Sequence, residues 1–114
     1  MDNLIFFKVK GKIISKKIME IMYCNSEGNY CWLYFSDLSK ILITKKIKEI
    51  EQTLNNKFFQ RVSRYQIVNV FYIQEIILEN KCQIILKDSQ KIDVSHRYKS
   101  ILINQLKENH ILLN

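Results

Sequence analysis

Proline is absent from this 114-residue chain, and glycine occurs only twice. The sequence therefore lacks a proline-rich linker at which a second domain could begin, and it lacks a glycine-rich loop that could cradle a phosphate group. No internal repeat or low-complexity segment divides the chain. Because a chain of this length usually forms one domain, we predict a single domain over residues 1–114.

Residues that bind metals or perform catalysis are equally scarce. The three cysteines, Cys24, Cys31 and Cys82, include no C-x-x-C pair and leave one thiol over, so they indicate neither a disulfide framework nor a zinc site. The two histidines, His96 and His110, have no cysteine or carboxylate partner at a known motif spacing. We predict reduced, buried thiols, no cofactor or metal, and no enzymatic activity.

Long apolar runs are missing as well. The segment Leu4-Ile5-Phe6-Phe7 is too short to span a bilayer, has no basic region before it, and is followed by Lys8 rather than by a cleavage site. We therefore predict a cytoplasmic location without membrane contact. Apolar residues nevertheless make up 47% of the chain, which is ample for a folded core.

The charge balance favours an anionic partner. Lysine and arginine together number 18 and aspartate and glutamate 11, which gives a net charge of +7. Such a charge attracts nucleic acid, acidic lipid and acidic protein alike, and composition does not choose among them.

Two segments, residues 58–70 and 94–98, place arginines between apolar residues. Arg61 and Arg64 lie in the first segment, and Arg97 lies in the second. Cations that are held on a rigid scaffold are suited to gripping a polyanion. We interpret the chain as a DNA-binding module.

Most of the sequence has the pattern of short β-strands. Runs of β-branched and aromatic residues alternate with turn residues such as Lys10-Gly11-Lys12 and Asp88-Ser89-Gln90, and each of these turns predicts a hairpin. The predicted strands cover residues 5–9, 13–14, 18–23, 30–35, 41–43, 58–62, 71–78, 82–86 and 91–94. Residues 24–29 are predicted to form an exposed polar loop that points towards a ligand.

Two segments have helical periodicity. In the first, Ile47, Ile50 and Leu54 share one face, with Thr44 as the predicted N-cap and a stop at Asn55-Asn56.

The second helix follows Ser95, its predicted N-cap. His96 and Arg97 lie at its start, where cations are unfavourable against the positive end of the helix, and this placement suggests an external anion. The apolar stripe of this helix consists of Tyr98, Ile101, Leu102 and Leu106.

Several blocks of the sequence, in order, resemble the LytTR-type DNA-binding domain, the output module of many bacterial response regulators. Residues 18–23 are similar to the family's D-I-x-Y-I-E strand, and Ser26-Glu27-Gly28-Asn29-Tyr30 to its A-x-G-N-Y loop. Residues 47–54 are similar to L-x-x-L-x-x-x-L, and residues 59–69 to F-x-R-V-H-R-S-Y-I-V-N. The last block, Asp93-Val94-Ser95-His96-Arg97-Tyr98, is similar to P-V-S-R-R-Y, so the resemblance covers nearly the whole chain.

The resemblance implies a mainly β fold, an elongated stack of small antiparallel sheets with about ten short strands and two short helices. It implies sequence-specific binding to duplex DNA by loops that enter successive major grooves, usually as a dimer at paired direct repeats. No receiver-like segment is present in these 114 residues, so we expect regulation by an upstream receiver domain or by a separate partner protein.

The resemblance also assigns candidate DNA-binding residues. By this resemblance, Asn29, Arg64 and His96 correspond to the positions that read bases. Their chemistry suits that role, since arginine can bind guanine through two hydrogen bonds and amide or imidazole groups can offer one or two. The candidates for phosphate contacts are Arg61, Arg97 and Lys99. Asn69 is expected to bridge backbone groups instead of touching DNA.

Four positions depart from the family pattern. Ser63 replaces a histidine, Tyr65 a serine, Gln66 an aromatic residue, and His96 a strongly preferred arginine. Histidine side chains are mostly neutral near pH 7, so the last change weakens the cationic contact. We therefore expect an unusual target sequence.

Two other functions stay open at this point. A module that binds RNA or single-stranded nucleic acid would use sheet aromatics such as Trp32 and Tyr34 to stack bases. A protein-interaction module would expose an apolar patch, for which Ile111-Leu112-Leu113 is the candidate.

Overall fold

The computed structural model describes residues 3–114 and contains ten strands in three antiparallel sheets, two α-helices and two short 3-10 helices. The predicted mainly β stack of small sheets is confirmed. In chain order the elements are β1 (Leu4–Val9), β2 (Lys12–Lys17), β3 (Ile21–Glu27), β4 (Tyr30–Phe35), β5 (Lys40–Ile43), α1 (Ile47–Thr53), β6 (Phe59–Arg61), β7 (Gln66–Asn69), β8 (Ile73–Ile77), β9 (Gln83–Leu86), β10 (Lys91–Asp93) and α2 (His96–Asn109).

The β1–β2 hairpin forms where the sequence predicted it. Lys10 and Gly11 adopt φ angles of 47° and 77°, the left-handed values that a tight two-residue turn between antiparallel strands requires. The base of the hairpin is fixed by an ion pair of 2.8 Å between Lys16 and Asp37, which lies in the turn after β4. Hydrogen bonds from Lys16 and Ser39 hold the pKa of Asp37 well below its usual range.

A five-stranded sheet in the order β5-β4-β3-β7-β6 forms the middle of the molecule. The predicted polar loop over residues 24–29 is wrong, because β3 continues to Glu27 and only Gly28 and Asn29 form the turn to β4. Gly28 has a φ of 65°, which suits glycine in a two-residue hairpin turn. Ser26, which the predicted loop would expose, is buried, and Cys24 of the same strand is fully buried.

Two predicted strands begin later than expected, because a 3-10 helix precedes each of them. Ile18–Glu20 and Val70–Tyr72 are these helices, and they turn the chain before β3 and β8 begin. The first is closed by the Glu20 carboxylate, which accepts a hydrogen bond of 2.8 Å from the Lys17 backbone N–H. Tyr72 at the end of the second donates a hydrogen bond of 2.7 Å to the Met19 carbonyl, so the two turns are joined.

The central sheet separates two apolar cores. One core lies between this sheet, helix α1 and the β1–β2 hairpin, and Phe7 and Phe35 meet edge to face in it with ring centroids 5.9 Å apart. The other lies between the central sheet, the β10-β9-β8 sheet and helix α2, and Leu102 is fully buried there. The result is a stack of layers with extents of 49 × 32 × 25 Å.

Details of both helices differ from the predictions. Lys46, not Thr44, is the N-cap of α1, and it makes no side-chain cap bond. Ser95 is the N-cap of α2 as predicted, but its hydroxyl makes no cap bond either. Ile101 is exposed, and Gln105 takes the inward position one turn after Leu102, where its amide donates a hydrogen bond of 2.7 Å to the Lys57 carbonyl.

The three cysteines are free and buried, as predicted. Burial raises the pKa of the Cys24 and Cys31 thiols above their usual range, so both stay protonated near neutral pH. In residues 3–114, no helix is long and apolar enough to cross a membrane.

Asn69 at the end of β7 joins three backbone segments. Its amide nitrogen donates to the Ile21 carbonyl at 2.9 Å, and its amide oxygen accepts from the Phe71 N–H at 3.0 Å. The side chain is fully buried, and the expected bridging role of Asn69 is confirmed.

We predict that Asn69→Ala lowers the free energy of unfolding by about 2–3 kcal/mol, because it leaves the buried Ile21 carbonyl and the partly buried Phe71 N–H without their side-chain partner. Chemical denaturation followed by circular dichroism measures this change. Asn104→Ala is the matched control, since Asn104 is exposed on α2, and it should shift the free energy by no more than about 0.5 kcal/mol. Equal effects of the two substitutions would contradict the role given to Asn69.

Candidate nucleic-acid interface

Three short segments meet at one end of the central sheet. The turn Gly28-Asn29 joins β3 to β4, and the connection from β6 to β7 begins with Val62 and continues through residues 63–65. Because Asn25 of β3 pairs with Gln66 of β7, these two connections end at the same edge of the sheet. A hydrogen bond of 2.7 Å from the Ser26 N–H to the Tyr65 carbonyl links them directly.

The start of α2 is tied to the same place. The Ser95 N–H donates a hydrogen bond of 2.9 Å to the carbonyl of Val62, a fully buried residue at the beginning of the 63–65 connection. His96 follows immediately as the first residue of the helix. We call the turn Gly28-Asn29, residues 63–65 and residues 95–97 together the three-loop edge.

The residues predicted to read bases are the free side chains of this edge. Asn29, Arg64 and His96 are all exposed, one in each segment. Within residues 3–114, none of the three side chains makes a hydrogen bond or an ion pair. Their polar groups are therefore available to an external ligand, and the structure brings all three to one edge.

The two exposed arginines of the edge have similar surroundings. The Arg64 guanidinium lies 5.6 Å from the centre of the Tyr65 ring, and the Arg97 guanidinium lies 5.3 Å from the centre of the Tyr98 ring. Contact with an aromatic face limits the rotation of the arginine without using its N–H donors. Both arginines are exposed, and their N–H groups stay available for hydrogen bonds to a ligand.

Arg61 is placed differently from the other candidates. Its Nε donates to the Ser63 carbonyl at 3.1 Å and its Nη2 to the Arg64 carbonyl at 2.8 Å. Its Nη1 forms an ion pair of 3.1 Å with Glu51 of helix α1, and only 16% of the Arg61 side chain is exposed. The guanidinium therefore faces the inside of residues 63–65 and holds their backbone.

Ser63, a departure from the family pattern, also acts within this connection. Its hydroxyl accepts a hydrogen bond of 3.2 Å from the Tyr65 N–H, which closes a local turn around Arg64. Serine closes this turn, but it lacks the imidazole ring that a histidine at this position would carry. Tyr65 is 55% exposed and presents an aromatic face beside Arg64.

Lys99 lies one turn along α2 from His96. Its ammonium donates a hydrogen bond of 3.1 Å to the Leu78 carbonyl, just after β8. An ammonium has three donors, so Lys99 keeps two for other acceptors. Lys99 is half-buried, whereas Arg97 is exposed.

The sequence did not predict the ion pair of Glu51, or the backbone hydrogen bonds that the carbonyls of Val62 and Tyr65 accept. Glu51 lies ten residues before Arg61 and on a different element, so no local pattern in the sequence joins them. Among residues 3–114, no group of three or more His, Cys, Asp and Glu side chains is arranged to hold a metal ion.

Comparisons with known proteins bear on the family and the fold of this chain. The family model of the LytTr DNA-binding domain matches residues 11–107. No curated protein matches the chain in sequence.

Among solved structures, the chain is similar to the LytTr DNA-binding domain of a Bacillus cereus protein named as a methyl-accepting/DNA response regulator. The TM-score is 0.79 at 20% sequence identity, over 90% of this chain and 95% of that chain. At this identity the likeness shows the fold, and the family model supplies the assignment. The chain belongs to the LytTR family of DNA-binding domains.

Proposed function

We propose that this domain binds duplex DNA sequence-specifically and thereby regulates transcription. The observation that carries the proposal is the three-loop edge: two backbone hydrogen bonds, of 2.7 and 2.9 Å, join three segments that each present at least one exposed polar side chain without a partner in residues 3–114. A rigid set of free donors and acceptors is suited to reading base edges, because little conformational entropy is lost on binding.

Each candidate has a role that follows from its chemistry. Arg64 donates two hydrogen bonds to guanine O6 and N7, while the Asn29 amide and the His96 imidazole each make one or two hydrogen bonds to a base. Arg97 and Lys99 bind phosphates beside His96 and fix the register of the protein on the duplex.

The size of the molecule is compatible with contacts in successive major grooves. Corresponding points of neighbouring major grooves lie about 34–36 Å apart along B-DNA. The longest dimension of the domain is 49 Å, so one copy is long enough to reach both grooves. In keeping with the family resemblance, we propose a homodimer on paired direct repeats, with control by an upstream receiver domain or a separate partner in the cytoplasm.

For Arg61 we propose a positioning role in place of the expected phosphate contact. The two carbonyls it holds belong to Ser63 and to Arg64 itself, so loss of the guanidinium would free the backbone that aims Arg64. Glu51 assists by fixing the guanidinium from helix α1.

Binding to single strands is the second candidate function, and one observation bears on it. Tyr23 and Tyr34 stack on each other with ring centroids 4.4 Å apart, and the Lys40 ammonium lies 4.5 Å from the centre of the Trp32 ring. Burial and the neighbouring Tyr34 raise the pKa of Tyr23 to about 12. All three rings are half-buried, and a protein side chain covers one face of each, which favours packing over base stacking and therefore favours duplex DNA as the partner.

Arg64→Ala tests the proposed function. The substitution should weaken binding to the cognate duplex by about 1–3 kcal/mol, since a two-pronged contact with guanine is lost, and should change binding to random duplex much less. Lys99→Ala is the comparison, and it should weaken both duplexes alike because a phosphate contact carries no sequence information. Fluorescence anisotropy with labelled duplexes measures both. Equal losses on cognate and random DNA for Arg64→Ala would refute base reading by this residue.

Arg61→Gln tests the positioning role. Discrimination between cognate and random duplex should fall by up to about 1.5–3 kcal/mol, the typical contribution of hydrogen bonds from a charged group. The slope of log K against log salt concentration should stay unchanged, because no phosphate contact is removed.

Glu51→Gln supplies the matched control for Arg61→Gln. It removes a negative charge, so a purely electrostatic effect would strengthen binding to all DNA, whereas loss of positioning should reduce discrimination in the same direction as Arg61→Gln. A decrease of about 0.9 in the salt slope for Arg61→Gln, with discrimination retained, would instead show that Arg61 contacts a phosphate.

A further inference from the structure

The tip of the β1–β2 hairpin carries three lysines that have no assigned role. Lys8, Lys10 and Lys12 surround Gly11, and all three are exposed. Within residues 3–114 none of them forms an ion pair, whereas Lys16 of the same hairpin is paired with Asp37. A tight turn therefore concentrates three uncompensated positive charges at one point of the surface.

The direction of the hairpin can be followed from its two ends. Its base is fixed to the turn after β4 by the ion pair of Lys16 with Asp37. Near its tip, Lys8 lines the same cavity of about 470 Å³ as Thr44 and Lys45, which follow the end of β5. The hairpin thus runs alongside β5, from the start of that strand to its end.

The end of β5 lies at the same end of the sheet as the three-loop edge. Cys31 of β4 pairs with Ile43 of β5, so the residues after Ile43 lie beside the residues before Cys31. The residues before Cys31 include the turn Gly28-Asn29. The hairpin tip and the segment after β5 are therefore neighbours of Asn29 on the side away from Arg64, because β3 and β7 lie on the other side of β4.

The segment after β5 adds further positive charge. Three more exposed lysines precede or begin helix α1, and one of them, Lys45, has an ion-pair distance of 3.8 Å to Glu49. We call the whole set the lysine flank: Lys8, Lys10, Lys12, Lys45, Lys46 and Lys48. Within residues 3–114, the exposed carboxylates in the same region are those of Glu27 and Glu49, so the described part of the flank has a positive excess.

We propose that the lysine flank binds the phosphate backbone of the DNA next to the bases read by Asn29, and so lengthens the contact at that end of the domain. This inference rests on the proposed function. Lysine ammonium groups on flexible stems suit phosphates, which need charge and little geometric precision, and the flank shares an edge with the proposed reading side chains. Lys8 and Lys10 lie outside the family match, which begins at residue 11.

The double variant Lys8→Gln/Lys12→Gln tests the flank. Each phosphate contact contributes about 0.9 to the slope of log K against log salt concentration on B-DNA, so the slope should become shallower by about 2. The decrease should be the same for cognate and random duplex, since phosphates carry no sequence information. Anisotropy titrations of the full chain at several salt concentrations give these slopes.

The matched control is Lys87→Gln/Lys91→Gln, which removes the same charge. These lysines lie at and before the start of β10, at the opposite end of the three-stranded sheet from His96. The control should leave the slope unchanged.

A second arm shortens the duplex on the Asn29 side only. This shortening should make the wild-type slope shallower, and it should lower the Lys8→Gln/Lys12→Gln slope by less, because only the four remaining lysines of the flank then lose phosphates. Equal slopes for the two double variants, with duplex binding intact, would overturn the flank and leave the proposed function standing. Failure of the wild-type chain to bind any duplex would overturn both. Loss of binding to phosphatidylserine vesicles with an unchanged DNA slope would identify a lipid surface as the partner of the flank and also overturn the proposal.

Discussion

The candidate interface depends on the hydrogen bonds and the ion pair that the Arg61 guanidinium makes. It binds two carbonyls of the 63–65 connection and the Glu51 carboxylate, and so joins helix α1, strand β6 and the backbone of Arg64. The same connection accepts the hydrogen bonds from Ser26 and Ser95 that hold the other two segments of the three-loop edge. Three segments from distant parts of the sequence are thereby fixed through one short connection. The cation that the sequence suggested for a DNA contact thus holds the backbone of the protein itself.

The rest of the fold makes this arrangement rigid. The central sheet has an apolar core on each of its faces, and the buried amide of Asn69 joins the chain turns before β3 and β8. A domain built this way presents its polar side chains from fixed backbone positions, which lowers the entropic cost of binding. Positive charge is then distributed in two ways: single cations sit on the three-loop edge, and lysines cluster beside it at the hairpin tip and the start of α1.

Local sequence patterns predicted most of the fold. The turn residues Lys10 and Gly11 and the β-branched runs beside them identified the first hairpin, because turn geometry and strand propensity depend on neighbouring residues. Residues 24–29 were misread as a loop because serine, asparagine and glutamate are typical of turns, whereas pairing with β4 and β7 keeps them in a strand. Ile101 was assigned to the core and Gln105 was not, since only tertiary packing decides which face of α2 turns inward. The contact of Glu51 with Arg61 could not be predicted from the sequence either, because the two residues lie on different elements that meet only in the folded protein.

Sequence-specific binding to duplex DNA is best tested by selecting bound sequences from a random duplex library at near-physiological salt, with a random single-stranded pool beside it. We expect enrichment of a duplex motif with two spaced copies of one half-site in the same orientation, and no enrichment of single strands. Enrichment only in the single-stranded pool, or in neither pool, would contradict sequence-specific reading of duplex DNA by the three-loop edge.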